Sequence, residues 1–262
     1  MSMIKLIGLF ALALTSTLAV SEESRTVRIG IEPSYPPFSY KTADGGTAGF
    51  DFDIGNAICE QMKVKCVWVD QEFDGLIPSL KVRKIDAILS SMLITSERLK
   101  SVDFTQQYYR SMPANLVMKS GSVINNPLVD LKGKKVGVQQ GTTNDRFASE
   151  VLAPAGVDVV RYGSQGQLFL DLVAGRLDAG LADVVNIYEG FLNTDSGKGF
   201  AVVGPDFDDP KYFGDGNGNG IAVRKGDKAL LDQLNSAIAA VHANGTCKRL
   251  QEKYFKFEVC GN

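Results

Sequence analysis

Histidine is nearly absent from this sequence: His242 is the only one in 262 residues. A metal centre built on imidazoles, or a nucleophile activated by a histidine base, has almost no material to work with. Positive charge is not in excess either. Lysine and arginine total 28 against 30 aspartates and glutamates, a formal net charge of -2, and no basic run is long enough to follow a polyanion. Nucleic acid is therefore not an expected partner. No G-x-S-x-G nucleophile motif occurs, and beyond the N-terminus no apolar run approaches the ~20 residues that a membrane span needs. What remains is ordinary for a folded chain, with 44% hydrophobic and 22% charged residues. The length admits one large domain or two modest ones, each able to bury a core.

The N-terminus departs from that average. Lys5 precedes the apolar stretch Leu6 to Leu14, and small residues continue to Ser21 ahead of Glu22 and Glu23. This is the layout of a cleavable secretory signal peptide, assigned to residues 1–21 with cleavage between residues 19 and 25. No cysteine lies near that point, so neither a lipid anchor nor any other stable membrane anchor is expected. Cysteine is scarce and falls in two close pairs, Cys59 with Cys66 and Cys247 with Cys260. In an exported protein two local disulfides are the natural reading, each contributing about 2–3 kcal/mol by restricting the unfolded chain. Metal ligation is the competing use of these cysteines, and the remoteness of His242 from most of the acids argues against it.

Thr26 to Ile31 alternates as a strand and runs into Glu32-Pro33-Ser34-Tyr35-Pro36-Pro37-Phe38, where proline forces a loop. Residues 50–58 open a helix with acids in its first turn, as the helix dipole favours. A strand over 66–69 and a short helix over 73–80 follow. Ile85-Asp86-Ala87-Ile88-Leu89 then reads as a buried strand leading through Ser90-Ser91-Met92-Leu93-Ile94 to the helix-capping types Thr95 and Ser96, and to Arg98. Such a turn sets backbone N–H groups beside a guanidinium, a good seat for a carboxylate; an ordinary loop with a surface arginine has the same local pattern. A second series has strands over 114–118, 134–138, 157–160, 179–182 and 200–203. Helices fall over 144–152 and 168–174, and a last one carries Leu230, Leu234 and Ile238. Alternating βα units imply helix-covered, mostly parallel sheets, and two series of similar size imply two lobes. Ligands of open α/β sheets bind beyond the carboxyl ends of strands, which selects Glu32 to Tyr35, Ser90 to Arg98, and Gln140 to Thr143 with Asp183. An acid at Asp183 serves there either as a helix N-cap or as a ligand contact.

Several short motifs now occur in a telling order. They are Tyr35-Pro36-Pro37-Phe38, Gly49-Phe50-Asp51-Phe52-Asp53, Leu76-Ile77-Pro78-Ser79-Leu80 and Thr95-Ser96-Glu97-Arg98. Gly141-Thr142-Thr143, Ala174-Gly175-Arg176-Leu177-Asp178-Ala179 and Lys253-Tyr254-Phe255 complete the set. Together they resemble the polar amino-acid binding proteins of ABC importers, the periplasmic solute-binding family 3. The similarity is greatest to members that bind lysine, arginine and ornithine, histidine, or arginine, which also carry a disulfide like Cys59–Cys66. The resemblance implies a two-lobed type II periplasmic binding fold of class α/β, its lobes joined by a two-strand hinge. Lobe 1 would hold residues 25–110 plus 212–262 and lobe 2 residues 111–211.

It also implies roles. Arg98 would bind the ligand α-carboxylate bidentately, helped by the backbone N–H groups of Leu93 and Thr143. Asp183 would pair with the α-ammonium, with a further polar contact from Ser91. Tyr35 and Phe73 would sandwich the ligand side chain, and Glu32, with Ser90 beside it, would meet a distal cation. The expected function is that of a monomeric periplasmic receptor that binds arginine, ornithine, lysine or histidine between its lobes and delivers it to a membrane permease. No cofactor, metal or catalysis is implied. Leu93 departs from the family pattern, standing where many relatives carry a hydroxyl or acid, a loss of ~1 kcal/mol in hydrogen bonding. Residues 214–220 are richer in glycine than the family pattern. The spacing Asp215-x-Asn217-x-Asn219-Gly220 does not make an EF-hand, because Gly226 falls where the loop requires an acid. Competing expectations are a receptor for glutamine, cystine or an opine-like conjugate, and an enzyme similar to prephenate or arogenate dehydratases. In that enzyme Glu32 would be the cleft acid free for general-acid work.

Overall fold

In the computed structural model, which describes residues 25–214 and 216–261, the strands form two five-stranded sheets and a small three-stranded one. The expected signal peptide, residues 1–21, lies outside the described residues. The first large sheet orders Lys65–Asp70, Thr26–Ile31, Ala87–Ile88, Asn219–Arg224 and Val102–Tyr109. The second orders Asp158–Tyr162, Lys135–Gln139, Ala179–Asp183, Ala114–Lys119 and Phe200–Phe207. Both follow one plan: three strands linked through helices run parallel, and a fourth, Asn219–Arg224 or Ala114–Lys119, lies antiparallel between them and the fifth, so one strand in each sheet opposes the other four. The sheets are therefore mixed, with more antiparallel pairing than the βα alternation conveys. The antiparallel strands are those where the chain passes between sheets, and a strand that arrives without a helical crossover has no reason to run parallel.

The helices cover these sheets with regular apolar stripes. Phe50, Ile54 and Ile58 of helix Phe50–Met62 recur every four residues and pack with Leu230, Leu234 and Ile238 of helix Lys228–Ala243 in one core. Leu76, Leu80, Ile85 and Ile88 form a second core against the same sheet. In the other sheet Leu168 and Leu172 of helix Gln165–Val173 pack with Val117 and Phe191. Each fully buried side chain of this size stabilises the fold by about 1.5–3 kcal/mol.

The strand expected over 85–89 is short, pairing only through Ala87–Ile88. Immediately beyond it the chain turns, with Ser91 in the left-handed region at φ 48. The glycines near residue 218 also find a reason. Gly218 has φ 63, and a Cβ there would fall 2.2 Å from Gln107 Oε1 and 2.6 Å from the Tyr109 carbonyl oxygen. The returning chain passes too close to strand Val102–Tyr109 for any side chain.

Both disulfides form as read from the sequence. Cys59–Cys66 joins helix Phe50–Met62 to the strand that follows it, and Cys247–Cys260 joins helix Thr246–Tyr254 to the tail. Their loops span 7 and 13 residues. The Cys59→Ser/Cys66→Ser variant is expected to lose about 2 kcal/mol of stability and Cys247→Ser/Cys260→Ser about 3. Denaturant titration checks this; unchanged midpoints would show that the crosslinks do not limit the unfolded chain. Among the described residues no helix is long and apolar enough to cross a membrane, and no group of three or more His, Cys, Asp or Glu is placed to hold a metal ion.

Candidate ligand-binding cleft

The loops at the carboxyl ends of both sheets converge on one cavity. All nine residues selected from the sequence, Glu32, Tyr35, Phe73, Ser90, Ser91, Leu93, Arg98, Thr143 and Asp183, line it. They arrive by different routes.

Arg98 sits in the short helix Ser96–Leu99, whose start is capped by the Thr95 hydroxyl accepting the Arg98 N–H at 3.2 Å. Its guanidinium donates from Nη1 to the Leu93 carbonyl at 2.9 Å and from Nη2 to the Gly141 carbonyl at 3.4 Å. It also lies 5.3 Å from the centre of the Phe73 ring. Burial pushes the guanidinium down to about 10 while the charge of Asp183 pushes it up, so it stays cationic at neutral pH.

Asp183 occupies the N-cap position of helix Val184–Ile187 but makes no capping bond. Its carboxylate accepts instead from Tyr35 Oη and from Asn144 Nδ2, the latter at 3.1 Å. Burial raises its pKa; the hydrogen bonds from Tyr35 and Asn144 and the charge of Arg98 oppose that shift. Thr143 opens helix Thr143–Phe147, where the Thr142 hydroxyl takes the capping role by accepting the Asp145 N–H at 3.1 Å.

Glu32 is 3% exposed. Its Oε1 accepts from Ser34 Oγ at 2.6 Å and from Gln139 Nε2 at 2.7 Å, while its backbone N–H donates to Ser90 Oγ at 3.0 Å. Burial pushes its carboxyl up to about 7; the two hydrogen bonds pull it down, and the nearby charges of Glu72 and Asp74 push it further up. An acid so placed gains from any cation that enters.

Ser91 and Leu93 reach the cavity differently from the other seven. The Ser91 hydroxyl donates to Asp51 at 2.8 Å, and its N–H donates to Tyr108 Oη at 3.1 Å. Tyr108 Oη in turn donates to Asp51 at 2.8 Å. Asp51 is fully buried, and burial pushes its carboxyl up to about 7 against the hydrogen bonds from Ser91 and Tyr108. Sequence pattern places Asp51 only as a first-turn helix acid; its partners come from residues 40 and 57 positions away. Leu93 forms an antiparallel bridge with Asn219, and its side chain joins the apolar cluster that contains Tyr212 and Phe213. The unusual leucine is thus packed against apolar neighbours at the junction of the two sheets.

Gln139, Asn144 and Gln165 also line the cavity and were not selected from the sequence. Gln139 ends strand Lys135–Gln139 as Asp183 ends strand Ala179–Asp183, so the strand-end rule applied one residue earlier reaches it. Asn144 and Gln165 are ordinary polar residues at helix starts and carry no such signal. Hydrogen bonds cross the cavity between the two sheets: Tyr35 to Asp183, Gln139 to Glu32, Arg98 to Gly141, and Asn186 Nδ2 to the Pro36 carbonyl at 2.7 Å.

Two mixed α/β sheets that close their loops over a charged, aromatic-walled cavity define a two-lobed ligand-binding protein. The chain belongs to the bacterial extracellular solute-binding proteins, family 3, whose family profile matches residues 27–257. It is 61% identical over 262 residues, the whole of both chains, to the L-arginine-binding protein of Pseudomonas aeruginosa. It is 46% identical over 257 residues to the lysine/arginine/ornithine-binding periplasmic protein of Escherichia coli, covering 98% of this chain and 96% of that one. Among solved structures, a Salmonella typhimurium periplasmic binding protein with high arginine specificity matches with a TM-score of 0.82 at 36% identity. The match covers 89% of this chain and all of the other.

Proposed function

We propose that this protein is the periplasmic receptor of an ABC importer for a basic L-amino acid, arginine foremost, and delivers it to a membrane permease. One observation carries the reading: buried Glu32, with Glu72 and Asp74 nearby, faces the same cavity as the opposite charges of Arg98 and Asp183. A zwitterion with a cationic side chain satisfies all three. The relatives named above support the same ligand class.

In this reading Arg98 forks onto the α-carboxylate, helped by the N–H groups of Leu93 and Thr143, and Asp183 takes the α-ammonium. Ser91 contributes through its backbone carbonyl, since its hydroxyl is committed to Asp51 and its N–H to Tyr108 Oη. Tyr35 and Phe73 flank the aliphatic stem, and Glu32 with Ser90 receives the distal cation. Lobe 1, residues 25–110 plus 212–262, and lobe 2, residues 111–211, close on the ligand because only the closed form gains contacts from both. The protein works as a monomer after loss of its signal peptide, and performs no chemistry on its ligand. Incubation with prephenate or arogenate therefore leaves those compounds intact.

Titration calorimetry against the twenty amino acids and ornithine is expected to show basic ligands bound at micromolar or tighter affinity, about -8 kcal/mol or better. A preference for glutamate would sink the proposal. The affinity also has a predictable pH dependence. Glu32 titrates near 7 without ligand, and a cationic side chain binds its ionised form. Below that pH binding must expel the proton, so arginine affinity is expected to fall by up to about tenfold per pH unit from 7 to 5. Citrulline, whose side chain is uncharged, shares Arg98 and Asp183 but lacks the dependence on Glu32, and its affinity should change far less. Parallel slopes for the two ligands would remove Glu32 from the cation site.

A further inference from the structure

Five buried side-chain oxygens lack a hydrogen-bond partner among the described residues, and two of them belong to residues that line the cleft: Asn144 Oδ1 and Gln165 Oε1. Asn144 lies beside Asp183, at the zwitterion end already described. Gln165 has no assigned role. It is 1% exposed and is the first residue of helix Gln165–Val173. The Ser164 hydroxyl caps that helix by accepting the Gln167 N–H at 3.3 Å, so the Gln165 side chain is not spent there.

Its surroundings place it at the Glu32 end. Helix Gln165–Val173 packs against Ser34–Tyr35 of the opposite lobe. The Gln139 amide donates both to Glu32 Oε1 and to the carbonyl of Gly163, two residues before Gln165, at 3.2 Å. Both side-chain hydrogen bonds to the Glu32 carboxylate among the described residues end on Oε1, which leaves Oε2 available. A buried acceptor with nothing to accept is destabilising, and a binding site tolerates one where the ligand brings the donor. Gln165 Oε1 from one lobe is such an acceptor, and Glu32 Oε2 from the other, with no side-chain donor on it among the described residues, can take a further donor at the same distal end of the cleft.

The two cationic groups that could enter differ in what they offer. A guanidinium presents five N–H donors in a rigid plane and can serve acceptors on both sides at once. An ammonium is a compact, strongly hydrated point charge with three rotatable donors, and it has no fixed plane of N–H groups to span acceptors on two sides. We propose that Gln165 makes this cleft prefer a guanidinium over an alkylammonium side chain. The inference rests on the basic amino-acid reading above and assigns the choice within that class to one residue.

The test is calorimetry of arginine, lysine and ornithine on the wild type, Gln165→Met and Gln165→Glu. Methionine keeps length and bulk without the acceptor; glutamate keeps the acceptor. The wild type is expected to favour arginine. Gln165→Met should weaken arginine by about tenfold to a hundredfold and lysine by less than about threefold, and Gln165→Glu should restore arginine. Equal losses for arginine and lysine in Gln165→Met, or no loss, would overturn the inference while leaving the receptor reading intact. If Gln165→Met does not fold, as thermal melting would reveal, the glutamate variant decides: arginine preference at or above the wild-type level supports the acceptor role, and a lost preference overturns it. A wild type that binds no basic amino acid would overturn both.

Discussion

Replacing Arg98 with alanine is expected to lower arginine affinity by about two to three orders of magnitude. A carboxylate entering this cleft gives up its water, and without the guanidinium only backbone N–H groups remain to compensate. The wild-type side chain is already aimed. Its Nη1 and Nη2 rest on the carbonyls of Leu93 and Gly141, and its face lies over Phe73, so little conformational freedom is lost on binding. Arg98→Lys keeps the charge but not the planar fork and should fall between, with a loss of about tenfold to a hundredfold. The fold itself should tolerate both changes, because among the described residues Arg98 forms no side-chain ion pair that would be left broken. Calorimetry measures the affinity, and a thermal melt confirms folding. Arginine affinity within about threefold of wild type in Arg98→Ala would remove the carboxylate role.

Asp183→Asn should weaken arginine by about a hundredfold. Asparagine keeps the size of the side chain and an oxygen that can accept from Tyr35, and its new NH2 can be met by the Asn144 oxygen, which has no partner in the wild type, once that amide turns over. What it loses is the countercharge to a buried ammonium. Burial raises the Asp183 carboxyl, and an arriving ammonium stabilises the ionised form, so ligand binding and ionisation support one another. A guanidino acid lacking the α-ammonium closes the cycle: it should bind the wild type weakly and lose little more in the variant. Equal losses for both ligands would mean that Asp183 acts through Tyr35 and Asn144 rather than on the ammonium.

Much of this architecture is legible in the sequence. Strands such as Thr26–Ile31 and Ala179–Asp183 are short, apolar and bounded by polar turns, and helix Phe50–Met62 carries its apolar stripe at helical spacing. These are local properties, set by side-chain periodicity against a backbone of fixed repeat. The same logic reached the cleft, since residues just past the ends of α/β strands face the ligand crevice whatever their identity. It also reached both disulfides, because short sequence separations limit the pairings of four cysteines.

Other features needed the tertiary structure. Asp51 resembles any acid in a first helical turn, and only the approach of Ser91 and Tyr108 makes it a buried anchor of the cleft wall. Leu93 is read from the sequence as a lost side-chain contact to the ligand, and only the structure shows its bridge to Asn219 and its place in the apolar cluster with Phe213. Gly218 is one of a run of glycines without a local reason until the backbone of Tyr109 comes within 2.6 Å of where its side chain would be. By itself the sequence determined the α/β elements, the two-series order, the disulfide pairs and the strand-end candidates, because each depends on residues near one another along the chain. The tertiary structure alone decided that Asn144 and Gln165 complete the same cavity, and that the Gln165 acceptor is left without a donor. Burial and hydrogen-bond satisfaction are properties of neighbours in space, and those neighbours come from segments far apart in the chain.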